Sequence, residues 1–94
     1  MGRVSAAAVM HEGQGSLKFL GFAGPVTYEM PVQATQARHM QPGVRGMLTL
    51  PPETARDFYR AGEATLNMDD GKSCRIVILG HTEGSEKAYF QTAA

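Results

Sequence analysis

The sequence has little cysteine, no net charge and no long apolar run. Its single cysteine, Cys74, cannot form a disulfide within the chain, which favours a reducing compartment. Nine basic residues balance nine acidic ones, so no overall field attracts the chain to nucleic acid or to an anionic membrane. No stretch approaches the roughly 20 apolar residues of a membrane-spanning helix. These absences predict a cytoplasmic protein without a membrane partner, and they make nucleic acid a poor candidate ligand.

The first residues, 1–14, lack a periodic pattern and are predicted to form a flexible tail. The apolar run from Val4 to Met10 is interrupted by Ser5 and is at the lower limit of signal-peptide length, so export is not expected. The remainder, residues 15–94, has the length of one small domain, since domains usually contain about 100–150 residues. With 43% hydrophobic and 19% charged residues, the composition is typical of a globular protein.

Alternation of apolar and polar residues predicts six strands. The clearest case is VTYEMPV, in which Val26, Tyr28 and Met30 share one face while Thr27 and Glu29 lie on the other. This two-residue period is typical of a strand with one buried face. Similar patterns occur in the segments 16–22, 44–50, 63–68, 73–82 and 87–92. Turn residues separate the strands, with Asp-Gly before the fifth and Gly-Ser before the sixth.

One short helix is predicted over residues 52–61. Pro52 suits the first helical turn, Arg60 suits the last turn, and Gly62 is a typical residue just after a helix. The apolar stripe of this helix consists of Ala55, Phe58 and Tyr59. A helix of this length is not stable alone, so we expect it to pack on the sheet.

Together these elements predict an all-β fold, a small antiparallel six-stranded barrel or strongly curled sheet with the helix packed on it. Gly46 falls on the inward face of the third strand and predicts a bend or β-bulge there. Arg75 and His81 share a strand face with Val77 and Leu79. Because the middle of that face is apolar, we expect the helix stripe to cover it.

Residues 68–86 contain the densest group of chemically active side chains, yet the familiar motifs do not fit. Gly71-Lys72-Ser73 resembles part of a phosphate loop, but the first glycine of that pattern is replaced by Leu66, and a strand follows instead of a helix. Cys74 and His81 are separated by an odd number of residues, so a regular strand places them on opposite faces. Ligand pairs with metal-binding spacing are absent from the sequence. We therefore predict no metal, no cofactor and no catalytic group.

Two polar groups are candidate ligand-binding sites. Arg38 and His39 lie in the longest loop, residues 33–43, and Arg45 follows at the start of the third strand. Together they could bind an anion such as a phosphate or a carboxylate. The second group lies in the turn after the fifth strand and consists of His81, Thr82 and Glu83.

The missing catalytic motifs favour a non-enzymatic binding or interaction module. Its expected ligand is a small anion or a nucleotide, bound through residues 35–45. Two alternatives stay open. One is protein–protein interaction or self-association, in which a sheet edge beside Pro31 or in the C-terminal strand pairs with a partner. The other is a small enzyme that uses His81 and Glu83 as an acid–base pair.

In length and strand count the chain resembles small cytoplasmic bacterial barrels, including the PilZ type, which binds a cyclic dinucleotide. The PilZ type carries an RxxxR motif near its start and a [DN]xSxxG motif in an early strand. Here Arg38 and Arg45 are too far apart for the first motif, and the second motif does not occur. The resemblance is one of architecture, and a shared architecture does not specify a ligand.

Overall fold

The strands form a closed antiparallel barrel in the computed structural model, which describes residues 10–32, 34 and 41–93. The strands are β1 Met10–Phe19, β2 Phe22–Pro31, β3 Arg45–Thr49, β4 Glu63–Asn67, β5 Ser73–His81 and β6 Lys87–Thr92, and the helix is α1 Pro52–Ala61. Around the barrel the order is β1, β2, β3, β6, β5, β4, and β4 pairs again with β1. The prediction of a small all-β barrel with one short helix is confirmed. No helix within the described ranges is long and apolar enough to cross a membrane.

β1 begins earlier than the sequence pattern indicated. Residues 10–14, which we assigned to a flexible tail, pair with β2, starting with Met10 opposite Pro31. The alternation is hard to detect because Gly13 and Gly15 occupy inward positions and provide no apolar side chain. Residues 1–9 of the expected tail lie outside the described residues.

The barrel interior is filled by inward-facing side chains from every strand. The large, fully buried ones are Leu17, Tyr28, Met30, Leu48, Leu66, Ile76 and Phe90. α1 joins the end of β3 to the start of β4, and both of these points lie at the same end of the barrel. Ala55 and Phe58 enter the core from α1, and the ring centroid of Phe58 lies 5.9 Å from that of Phe19. The helix therefore covers this end of the barrel.

α1 does not cover the outer face of β5, contrary to our expectation. Phe58 is fully buried, whereas Tyr59 is 57% exposed, so the contact stripe is narrower than predicted. Arg75 lies on the outer surface of the barrel and forms an ion pair with Glu63. The apolar stripe is used at the barrel end, where the core would otherwise be open to solvent.

The irregular point of the sheet lies on β5 and not at Gly46 as predicted. Gly46 pairs regularly with Phe90. A Cβ atom at position 46 would lie 2.5 Å from Cζ of Phe90 and 2.5 Å from the carbonyl oxygen of Glu29. The glycine thus provides space for a core ring. The β-bulge instead falls between Ile78 and Gly80.

At the end of the barrel opposite α1, Tyr28 connects β2 to the turn between β4 and β5. Its hydroxyl donates a hydrogen bond to Oδ1 of Asp69 at 2.9 Å, and its side chain is 1% exposed. The ring passes over Gly13, where a Cβ atom would lie 2.5 Å from the hydroxyl oxygen. Burial and then the bond to Asp69 raise the pKa of Tyr28 to about 12.

Gly46→Ala tests the space requirement in the core. We expect it to lower the free energy of unfolding by about 1–3 kcal/mol, because the new methyl group overlaps Phe90 and the Glu29 backbone. Gly80→Ala is the matched control, since no atom lies within 4 Å of the added Cβ, and it should stay within about 0.5 kcal/mol of wild type. Urea unfolding measures both variants. Equal losses would contradict the role assigned to Gly46.

The raised pKa of Tyr28 predicts destabilisation at high pH. The unfolded phenol ionises near its ordinary pKa of 10, whereas the folded one stays protonated to about 12. The contribution of Tyr28 to the free energy of unfolding is therefore complete below pH 10. It is lost as the pH rises through 12, which lowers the free energy of unfolding by about 2–3 kcal/mol. Urea unfolding of wild type and Tyr28→Phe across this pH interval measures the difference. The same pH dependence in both proteins would show that Tyr28 does not carry it.

Candidate functional site

The bulge in β5 turns His81 toward the barrel interior. On a regular strand, residue 81 would face outward, because residues 74, 76 and 78 face inward. Leu79 is the extra residue of the bulge, so His81 pairs directly with Ala88, whose side chain is fully buried. Leu79 itself is 48% exposed. Our prediction that His81 shares an outer face with Arg75 is therefore wrong.

Cys74 and His81 consequently share the inner face of β5, although they do not form a catalytic pair. They stand near opposite ends of this strand, whose residues rise by about 3.3 Å each. Cys74 packs against the core, and burial raises the pKa of its thiol. A thiol held in its protonated form is a poor nucleophile. The interpretation of Cys74 as a small core residue agrees with these contacts.

His81 lines a groove of about 220 Å³ between the start of α1 and the turn from β5 to β6. The other residues of this groove are Pro52, Glu53, Arg56, Glu83 and Gly84. We call it the His81 groove. Sites for drug-sized ligands usually measure about 300–1,000 Å³, so this groove suits one functional group of a ligand and not a whole nucleotide.

Two hydrogen-bonding groups at the His81 groove, one on a side chain and one on the backbone, lack a partner within the described residues. The Nε2 atom of His81 is buried and makes no hydrogen bond. Most buried polar atoms in proteins are paired, so an unpaired one is unusual and calls for an explanation such as a bound group. α1 begins after Pro51, which provides no side-chain cap. The first N–H groups of a helix have no partner inside the helix, so the N–H of Glu53 is a donor beside the groove.

The groove carries charges of both signs. Arg56 and the positive end of the helix dipole favour an anion. Glu53 and Glu83 are exposed carboxylates that line the same groove and disfavour a ligand with several negative charges. The described residues contain no group of three or more His, Cys, Asp or Glu side chains that could hold a metal ion. The arrangement therefore suits a single carboxylate or a phosphate diester, each of which carries one negative charge.

The second predicted group is only partly assembled in this groove. His81 and Glu83 both line it, whereas Thr82 is exposed and does not. The carbonyl oxygen of Thr82 instead accepts a hydrogen bond from the Ser85 amide at 2.9 Å, which closes the turn. Gly84 has a φ of +84°, a value that favours glycine.

The first predicted group does not join the His81 groove. Arg45 lies on the outer surface, where its Nε atom donates to Oε1 of Gln91 at 3.4 Å. Gln91 is near the end of β6, whereas His81 pairs with Ala88 near its start. Arg38 and His39 lie outside the described residues. An anion site that combines them with Arg45 stays a prediction.

The sequence did not predict that residues of α1 would line the His81 groove. The Pro-Pro-Glu segment marked the start of a helix, and a helix start is a known place for anions. Nothing in the sequence connects this start to His81, because the contact requires the helix to cross the barrel end. The bulge at Leu79 was equally hidden, although Gly80 within an otherwise regular strand is a weak signal for one.

Comparison with protein-family models, curated proteins and solved structures finds no match for this chain. The His81 groove is therefore interpreted from its own residues and their contacts.

His81→Leu should stabilise the protein, because it removes a buried nitrogen that has no partner. Unpaired buried polar groups cost about 1–3 kcal/mol, so we expect the free energy of unfolding to rise by about 1 kcal/mol. His11→Leu is the control. The ring of His11 lies beside that of Tyr28, at a centroid distance of 6.1 Å, so its replacement should not raise the free energy of unfolding. Thermal and urea unfolding measure both variants. Clear destabilisation by His81→Leu would contradict an unpaired Nε2.

Proposed function

We propose that this protein is a non-enzymatic binding module whose His81 groove holds a small singly charged anion, such as the carboxylate or phosphate ester of a larger ligand. The observation that carries the proposal is the buried, unpartnered Nε2 atom of His81 beside an uncapped helix start. We also infer a cytoplasmic location from the lone cysteine. The likeness to PilZ-type bacterial barrels remains one of architecture and adds no ligand.

Three donors favour an anion in this groove. Nε2 of His81 is buried, so the ring must move to bring this nitrogen to the groove, where the tautomer with a proton on Nε2 would donate to the ligand. The N–H of Glu53 donates from the helix start, where the dipole of α1 also favours negative charge. Arg56 adds a full positive charge one turn along the helix. Donors from two different elements select an anionic group of defined size and orientation.

A nucleotide is less suitable as the ligand than the sequence alone indicated. The carboxylates of Glu53 and Glu83 would repel a group with several negative charges. The groove volume of about 220 Å³ also holds only part of such a ligand. Binding through residues 35–45 remains the second version of the proposal, with Arg45 as its one described member.

An enzyme that uses His81 and Glu83 is the second candidate function, since both side chains line the same groove. Binding is preferred because no hydrogen bond joins these two residues in the described part of the chain. General acid–base catalysis requires partners within hydrogen-bond reach of the same reacting group.

Of the two sheet edges considered for protein–protein pairing, the one beside Pro31 has more support than the C-terminal strand. β6 pairs with both β3 and β5. Within the described residues, the first part of β1 pairs on one side alone, because β4 reaches it at Ser16–Lys18. Both ends of β2 also pair on one side alone, because β3 reaches β2 only at Thr27–Glu29. A partner strand would therefore find unpaired backbone groups near Pro31 more readily than along β6.

Titration of ¹⁵N-labelled protein with acetate and with dimethyl phosphate, two singly charged anions, tests anion binding. We expect amide shifts at Glu53, Thr54 and Gly84, and an affinity at least about tenfold lower in His81→Ala, since a hydrogen bond to a charged group contributes about 1.5–3 kcal/mol. His11→Ala, which removes a histidine at the other barrel end, should bind like wild type. Shifts confined to residues 41–47 would favour the loop version instead. Unchanged spectra with both anions would contradict anion binding.

A further inference from the structure

The outer surface of the barrel carries a band of exposed or half-buried apolar side chains that the His81 groove does not use. Glu29 on β2, Met47 on β3 and Tyr89 on β6 are direct neighbours across three paired strands. Leu79, the bulge residue, follows on β5, since Tyr89 pairs with Gly80. We call Met10, Met47, Leu79 and Tyr89 the outer band. Met10 is 45%, Leu79 48% and Tyr89 53% exposed.

A shallow groove of about 400 Å³ runs along one part of the outer band. Its floor and walls are Met10, Glu29, Arg45, Gly46, Met47 and Tyr89. Tyrosine, methionine and arginine are enriched at protein–protein interfaces. Contiguous exposed apolar side chains of this kind mark interaction surfaces more often than isolated ones do.

The charged residues of this groove are not paired with each other. The ion pairs of the described residues are Asp70–Lys72 and Glu63–Arg75, and neither involves Glu29 or Arg45. Arg45 has only the 3.4 Å contact with Gln91, and Glu29 makes no side-chain hydrogen bond within the described ranges. One negative and one positive group therefore stand beside the same apolar surface, both able to meet a partner.

We propose that the grooved part of the outer band, from Met10 to Tyr89, is the interface of a symmetric dimer, with a second copy of this chain as its occupant. A two-fold axis that passes between Glu29 and Arg45 brings Glu29 opposite the partner's Arg45, and Arg45 opposite the partner's Glu29. The same patch thus supplies both the acid and the base of each ion pair. Zero net charge adds no long-range repulsion between copies.

Charge complementarity favours a second copy over a different partner. A partner surface of one sign would meet a like charge at either Glu29 or Arg45, which costs free energy in a desolvated interface. The apolar residues also complement one another, since the axis that exchanges Glu29 and Arg45 brings Tyr89 on β6 toward the partner's Met10 on β1. The His81 groove lies at the α1-covered end of the barrel, so dimer formation and anion binding are independent.

Two charge-reversal variants test this arrangement. Glu29→Arg gives a chain with two positive groups at the band, and Arg45→Glu gives one with two negative groups. Each alone should have a dimer dissociation constant at least about tenfold higher than wild type, because both contacts become repulsive. An equimolar mixture should form heterodimers again, since every contact then joins opposite charges. Sedimentation equilibrium measures all four samples.

Matched tyrosine variants test the apolar part of the interface. Tyr89→Ser should weaken the dimer at least about tenfold, as truncation of a central aromatic usually does. Tyr59→Ser is the control, because Tyr59 is 57% exposed on α1 and lies outside the outer band. Circular dichroism confirms that each variant is folded. A wild-type protein that stays monomeric at about millimolar concentration, or a mixture of the two charge variants that does not dimerise, overturns the proposal.

Discussion

Closure of the barrel depends on how the β1–β2 hairpin attaches to the other four strands. The hairpin meets β3 through three residue pairs and β4 through another three, whereas its own strands pair over ten. At the β4 side, Gly15 comes so close to the carbonyl oxygen of Asn67 that a side chain would not fit. Leu17 and Leu66 then pair within the core. These short contacts include fully buried pairs, Leu17 with Leu66 and Tyr28 with Leu48, so hydrogen bonding and apolar burial support the same register.

Because the barrel is closed, its core can be exposed to water only at its two ends, and a different element seals each of them. One end is completed by Tyr28 and its bond to Asp69, which joins β2 to a turn far away in the sequence. The other end is completed by α1, whose Phe58 occupies the opening. Because the helix lies across the barrel end, its first turn reaches the β5–β6 turn and forms the His81 groove. The candidate binding site is thus a by-product of how the core is sealed from water.

Sequence patterns predicted the strands from 16 onward and the helix well, because each has a clear period and recognisable turn or cap residues. Residues 10–14 were missed where glycines replace inward apolar side chains. The role of Gly46 was misjudged, since a sequence cannot distinguish a glycine that bends a strand from one that admits a neighbouring ring. His81 was named as a site residue, yet its inward direction depends on a bulge whose position follows from three-dimensional packing. The contributions of Glu53 and Arg56 arise only when α1 is docked.

The position of the bulge has a consequence for how this protein could change over evolution. Leu79 follows Ile78, the last residue of β5 that packs against the core, so the change of side-chain direction occurs after the core contacts of that strand are complete. Substitutions from residue 81 onward in the turn therefore alter the groove without shifting any core residue to the wrong face. The residues that line the groove can change there while the core contacts of β5 stay the same. The bulge residue Leu79 thus separates the part of β5 whose side chains pack in the core from the part whose side chains line the groove.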